Sequence, residues 1–124
     1  MINIGVTPAF FHPDVNRKVY GPKRLTYVEN DLIQFLCSKD VNPVLILNLP
    51  EKKLVHIINQ LDGVVFSGGE DVSPLSYGED YLDKEMWPGD IFRDDYEKKI
   101  FKIAYEKKLP MLGICRGAQL INVC

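Results

Sequence analysis

One stretch combines a reactive side chain with a spacing that could use it: Leu109-Pro-Met-Leu-Gly-Ile-Cys-Arg-Gly-Ala-Gln-Leu-Ile-Asn-Val123. The apolar run 111–114 delivers Cys115 into a sharp turn, and a helical pattern follows at once. A strand-turn-helix of this kind presents a nucleophile at its apex. Gly113 and Gly117 flank the cysteine at the two-residue spacing such a turn needs, because bulky side chains there would clash. The amides of a helix N-terminus carry partial positive charge, which favours thiolate, the form that attacks a carbonyl carbon. The competing reading is a cysteine buried at a strand end, as cysteines often are. Glycines on both sides favour the nucleophile.

The other candidate groups are sparser. Ser67-Gly68-Gly69 ends an apolar run and opens a long loop rich in Gly, Pro, Ser and acids, residues 67–90. Loops of that length in compact domains are functional or disordered. Within it, Asp71 and Pro74 shape the loop, the aspartate by bonding nearby backbone N–H groups. Glu70, Asp71, Glu79, Asp80 and Asp83 lack metal-loop spacing and read as solvated charge, so no metal is expected. His12 lies in the loop after the first strand with nothing to orient it, and His56 sits inside a helix away from the expected site. Cys37 falls on an apolar helical stripe and is expected in the core. Cys124 is the last residue.

The elements that must position these groups alternate. Residues 2–6 form a short strand, followed by a loop through Gly21-Pro22. Residues 25–39 read as a helix, with Val28, Leu32, Ile33, Phe35 and Leu36 at helical spacing. Asn42-Pro43 ends it, and 44–47 is an apolar run expected of a strand buried on both faces. Pro50 opens a helix to about Leu61, with Leu54, Ile57, Ile58 and Leu61 inward. Residues 64–66 make a third strand. A helix over 91–108 places Tyr96, Ile100, Ile103 and Ala104 on one stripe, before the strand 111–114 and the final helix. The order predicts an α/β, flavodoxin-like, doubly wound parallel sheet with helices on both faces. Ligands bind such sheets beyond the carboxyl ends of the strands, where Ser67-Gly-Gly69 and Cys115 both fall.

Totals narrow the function classes. The 124 residues are 46 % apolar and 26 % charged, an ordinary globular composition. A net charge of −2 gives no electrostatic case for nucleic acid or anionic membrane. No apolar run approaches the roughly 18–20 residues of a membrane span. Met1-Ile-Asn-Ile-Gly-Val6 has no signal-peptide pattern, and three cysteines without paired spacing make no disulfide framework. A cytoplasmic setting is expected. No strand is followed by a Gly-x-Gly-x-x-Gly or Walker pattern, so nucleotide binding has no support, and no cofactor is expected.

Gly113-Ile-Cys-Arg-Gly-Ala-Gln119 and Gly68-Gly-Glu-Asp-Val-Ser-Pro74, with Tyr77-Gly78 behind it, resemble the class I glutamine amidotransferase superfamily, and within it the γ-glutamyl-γ-aminobutyrate hydrolase (peptidase C26) branch. Ile4-Gly-Val-Thr-Pro8 and the helix entry Arg93-Asp94 to Glu97 fit as well. The resemblance implies that the Cys115 thiolate attacks a γ-glutamyl amide, expels an amine or ammonia, and leaves a thioester for water to hydrolyse. It implies that Gly69 and Arg116 lend backbone N–H groups to an oxyanion hole, and that Gln119 and Gly68 contact the substrate.

The resembling family is about twice this long, and its triad is completed by a downstream His-x-Glu pair with no counterpart here. Residues 1–124 therefore read as the N-terminal part of one such domain, truncated after the elbow and its C-terminal part missing. Such a fragment is expected to be inactive alone, and to self-associate through an exposed sheet edge. The alternatives are a non-catalytic, small-molecule-binding flavodoxin-like domain and a different elbow protein, the latter not fitting residues 68–78.

Overall fold

The computed structural model describes residues 1–37 and 40–124. Strands β1 (Ile2–Val6), β4 (Val41–Leu45), β5 (Gly63–Phe66) and β6 (Met111–Gly113) form one sheet in the order β4-β1-β5-β6, every pair parallel. This is the start of the flavodoxin-like order, in which the second core strand flanks the first and the chain then crosses to the third and fourth. The expected α/β parallel sheet is therefore present.

Helices α1 (Asn30–Cys37), α2 (Glu51–Ile58), α3 (Ile91–Glu106) and α4 (Arg116–Val123) cover the sheet. Strand alternation divides the core. Val64 and Phe66 join Leu54, Ile58, Tyr96, Ile100 and Leu120 in one cluster, while Val65 joins Val6 and Leu36 in the other. Thus α1 lies over one face, and α2, α3 and α4 over the opposite one. Side chains at successive strand positions point to opposite faces, so an apolar run such as Val64-Val65-Phe66 supplies both clusters at once.

Helix α3 begins at a capping aspartate: Asp90 Oδ1 accepts from the Arg93 N–H at 3.0 Å. Its stripe of Tyr96, Ile100, Ile103 and Ala104 is buried as expected. The Tyr96 hydroxyl donates to the Ile46 carbonyl, joining α3 to the segment after β4. Burial pushes this phenol above its ordinary range, Glu97 adding to the effect and Arg93 opposing it.

Three local expectations need correction. Residues 25–27 are not helical. They form β3 (Leu25–Tyr27), paired antiparallel with β2 (Ala9–Phe11), and Phe11 stacks on Tyr27 with ring centroids 4.2 Å apart. The expected tail of α1 at Ser38 and Lys39 lies outside the described residues. Strand β4 starts at Val41 and contains Asn42-Pro43. It is an edge strand among the described residues, only half-buried, where proline's missing N–H costs no ladder bond to a second neighbour. Cys37 is exposed: Leu36 takes the inward place at the end of α1. No helix among the described residues is long and apolar enough to cross a membrane.

Candidate functional site

Beyond Gly113 the chain turns through Ile114 and Cys115 into α4. Cys115 has φ 52° and ψ −108°, in a half of backbone space that residues with side chains rarely enter. Such conformations cost on the order of 1–3 kcal/mol and persist only where surroundings over-determine them. Here the Ile114 N–H donates to Phe66 O at 3.0 Å, the Gly117 N–H to Ile114 O at 2.9 Å, and the Ala118 N–H to Cys115 O at 3.0 Å. Any Cβ on Gly117 would run into the Phe66 carbonyl, and one on Gly113 into the first turn of α4. The glycine spacing is thus a packing requirement of the turn, and it leaves Cys115 exposed at the helix N-terminus.

The second motif meets the first. Strand β5 is the neighbour of β6, so Ser67-Gly68-Gly69 emerges beside the cysteine turn. A Cβ placed on Gly68 would stand 3.8 Å from Cys115 Cβ, and one on Gly69 would stand 3.8 Å from Arg116 Cδ. Ser67 is anchored to the end of β1: its N–H donates to Thr7 Oγ1 at 3.1 Å and its hydroxyl to Thr7 O at 2.6 Å. Gly69 has φ 146°, which glycine alone adopts without strain. Among the described residues, no acceptor within the protein meets the backbone N–H of Gly69 or of Arg116.

Behind both motifs lies a cluster that periodicity did not reveal. Arg93, Asp94, Glu97 and Arg116 are all at most 2 % exposed. Arg93 Nε donates to Glu97 Oε1 at 3.1 Å, and the Arg116 guanidinium pairs with Glu97 Oε2 and Asp94 Oδ1. Two guanidinium groups face two carboxylates, so formal charge balances inside the core. Asp94 Oδ2 also accepts from the Ser73 N–H at 2.9 Å and the Ser76 hydroxyl at 2.6 Å, fixing the short 3-10 turn Pro74–Tyr77. The available sequence signal was the i,i+4 spacing of Arg93 and Glu97 on a helix whose apolar stripe runs alongside them.

Gln119 sits one turn past Cys115, but its carboxamide is occupied. Oε1 accepts from the Val72 N–H at 3.0 Å, and Nε2 donates to Asp71 Oδ1 at 2.8 Å. Asp71 therefore bonds α4 across the fold instead of its own loop's backbone. His12 is also oriented, contrary to expectation. Nε2 lies 2.8 Å from Asp90 Oδ2, and Nδ1 accepts from Arg24 Nε at 3.1 Å. Both bonds are met by a neutral ring carrying its proton on Nε2. A cavity of about 570 Å³ is lined by His12, Phe10, Arg17 and Tyr27 on one side and by Gly69 and Arg116 on the other. His56 is exposed on α2, near Gln60. Among the described residues no cluster of three or more His, Cys, Asp or Glu could hold a metal ion.

Comparison with known proteins gives the family. The peptidase C26 family profile matches residues 4–124. The chain belongs to the peptidase C26 family. Relatives of this C26 chain include the glutamine amidotransferase-like protein YvdE of Lactococcus lactis subsp. lactis, 37 % identical over 112 residues, covering 88 % of this chain and 46 % of that protein. A glutamine amidotransferase-like protein of Rickettsia prowazekii is 45 % identical over 71 residues, 53 % of this chain and 25 % of its own. The gamma-glutamyl-CDP-amidate hydrolase of Campylobacter jejuni is 44 % identical over 66 residues, 53 % of this chain and 27 % of its own. The chain spans half or less of the length of these curated relatives.

Proposed function

We propose that these 124 residues form the nucleophile and oxyanion side of a γ-glutamyl amide hydrolase. The observation that carries the reading is Cys115, exposed at positive φ at the head of α4, with the unpaired amides of Gly69 and Arg116 beside it. Cys115 Sγ, as thiolate, attacks the γ-glutamyl carbonyl carbon. Charge then develops on the carbonyl oxygen, to which the two preorganised N–H groups donate. Collapse expels the amine, which takes up a proton, and leaves a γ-glutamyl thioester on Cys115. Water cleaves the thioester to free glutamate and restores the thiol. Gly68 forms the wall beside the sulfur. Gln119 braces the loop 71–72, and direct contact with the glutamyl group would replace its bonds to Val72 and Asp71.

The proton-transfer base comes from outside these residues. His12 already donates to Asp90 and accepts from Arg24, and His56 is on α2, bonded to Gln60. Loss of general-base help costs on the order of 10²–10⁴ in rate, so residues 1–124 alone should hydrolyse γ-glutamyl amides at background. Formation of the thioester needs no such base when the acyl donor carries a good leaving group. The test is incubation with an activated γ-glutamyl thioester, followed by intact-protein and peptide mass spectrometry. A γ-glutamyl adduct on Cys115, absent in Cys115→Ala, is expected. No adduct, or one confined to Cys37, would overturn the proposal.

A further inference from the structure

Arg93 is buried at the first turn of α3, and its guanidinium ends against the exit of β5. Nη1 donates to the Gly68 carbonyl at 2.8 Å. Nη2 donates to the Ser67 carbonyl and to Ser67 Oγ, each at 2.9 Å. The C=O of Gly68 and the N–H of Gly69 belong to one planar trans peptide and point in opposite directions. Fixing the carbonyl on Arg93 therefore turns the Gly69 N–H to the opposite side. Gly69 itself has no room for a side chain, since a Cβ would collide with Arg93 Nη1.

From Arg93 the contacts run on through charge. Glu97 takes Arg93 Nε on one carboxylate oxygen and Arg116 Nη1 on the other. Arg116 bears the second unpaired amide, and it directly follows Cys115. A continuous line of buried polar bonds thus joins the peptide that presents one N–H to the residue that presents the other. Stability alone is a weak reason for such a line. Buried ion pairs are often replaceable by apolar residues of similar volume without loss. A planar fork that spans two neighbouring carbonyls is something arginine supplies and lysine does not.

We infer that Arg93 and Glu97 are positioning residues: they orient the Gly69 amide and hold it at working distance from the Arg116 amide. The inference rests on the functional reading above and adds the device that preorganises its oxyanion site.

Two reactions of the same sulfur separate this role from a structural one. In acylation by a γ-glutamyl thioester, Cys115 thiolate adds to the carbonyl carbon and an oxyanion forms. It collapses with loss of the donor thiolate, which takes a proton from water. In alkylation by iodoacetamide, sulfur displaces iodide and no oxyanion forms. Arg93→Lys and Glu97→Gln in the 124-residue chain are each expected to slow acylation of Cys115 on the order of tenfold or more, against 10²–10³ for outright loss of one such donor. Alkylation should stay within about twofold, and Glu97→Asp should recover part of the acylation rate that Glu97→Gln loses. If Arg93→Lys does not fold, Glu97→Gln, which preserves volume and one acceptor oxygen, carries the test. Equal slowing of both reactions, or of neither, would overturn the positioning role. A wild-type chain that alkylates but never acylates would instead remove the functional reading, and this inference with it.

Discussion

Gly117 lies flush against the carbonyl of Phe66, close enough that any Cβ on residue 117 would overlap the oxygen. The contact sets how closely α4 approaches β5. Gly117→Ala gains about 1 kcal/mol in helix propensity but must push the helix off the strand. Overpacking of that kind typically costs 1–3 kcal/mol when side chains yield, and here the obstacle is backbone. A net loss of about 2 kcal/mol or more is expected in urea unfolding. A variant as stable as wild type would show that the turn is looser than described.

Asp94 and Asp95 are neighbours with opposite surroundings. Asp94 is fully buried against Arg116, Ser73 and Ser76, while Asp95 is exposed. Asp94→Ala leaves a buried guanidinium short of a counter-charge, which typically costs about 3–5 kcal/mol. Asp95→Ala should fall within about 0.5 kcal/mol of wild type. Paired denaturant melts decide the matter, and similar losses at the two sites would argue against the buried cluster.

Tyr96 should shape the alkaline limb of stability. Its folded phenol titrates above the ordinary value of 10.0, chiefly through burial. Above that pH the unfolded chain releases a proton that the folded chain retains, so stability falls as pH rises, and below it the contribution is constant. Tyr96→Phe forfeits the bond to Ile46, at about 1–3 kcal/mol for the stranded carbonyl, yet removes this alkaline penalty. The gap between variant and wild type should therefore narrow from about pH 8 to about pH 11. Unfolding curves at the two pH values would expose the error if the gap stayed constant.

The three cysteines are all exposed, so access does not rank them. Their helix positions do. Cys115 heads α4 and Cys37 ends α1, and reactions that build negative charge are generally favoured at a helix N-terminus and opposed at a C-terminus. Cys124, though exposed, is partly desolvated by its neighbours, which pushes its thiol up, Lys98 partly offsetting this. Iodoacetamide at neutral pH is expected to modify Cys115 ahead of both others. Peptide mapping over time would read the order directly.

Strand β6 pairs only with β5 among the described residues, and Leu112 on it is 51 % exposed. A parallel edge of that kind invites pairing between chains. The 124 residues should self-associate with rising concentration, and Leu112→Lys should weaken the association. A concentration-independent monomer in sedimentation would contradict this.

What could be read from the residues, and what could not, divides by range. Strands β5 and β6 were legible as apolar runs and β1 as the alternation of Ile2, Ile4 and Val6, and the cysteine turn was legible because its glycines are packing requirements two residues away. The β2–β3 hairpin was not: its strands are three residues each, and no short turn signal joins them. Strand β4 was cut short at Asn42-Pro43 because proline's tolerance depends on lying at an edge, a property of the sheet and not of the segment. The orientation of His12 depends on Asp90, 78 residues away. Arg93 and Glu97 were visible as a pair, but charged residues beside an apolar stripe look solvent-facing until the neighbouring loops close over them.

The bond from the Val72 amide to Gln119 spans 47 residues, and the Asp71 bond beside it spans 48. Neither can form while the chain is still emerging from the ribosome through α3. Contacts that close loops this long pay their entropy before any packing rewards them. The loop 71–72 and the cysteine turn therefore acquire their geometry together, once α4 is available to dock. Until then Cys115 lies on an unstrained chain, and whatever reactivity the turn confers begins only with the docking of α4.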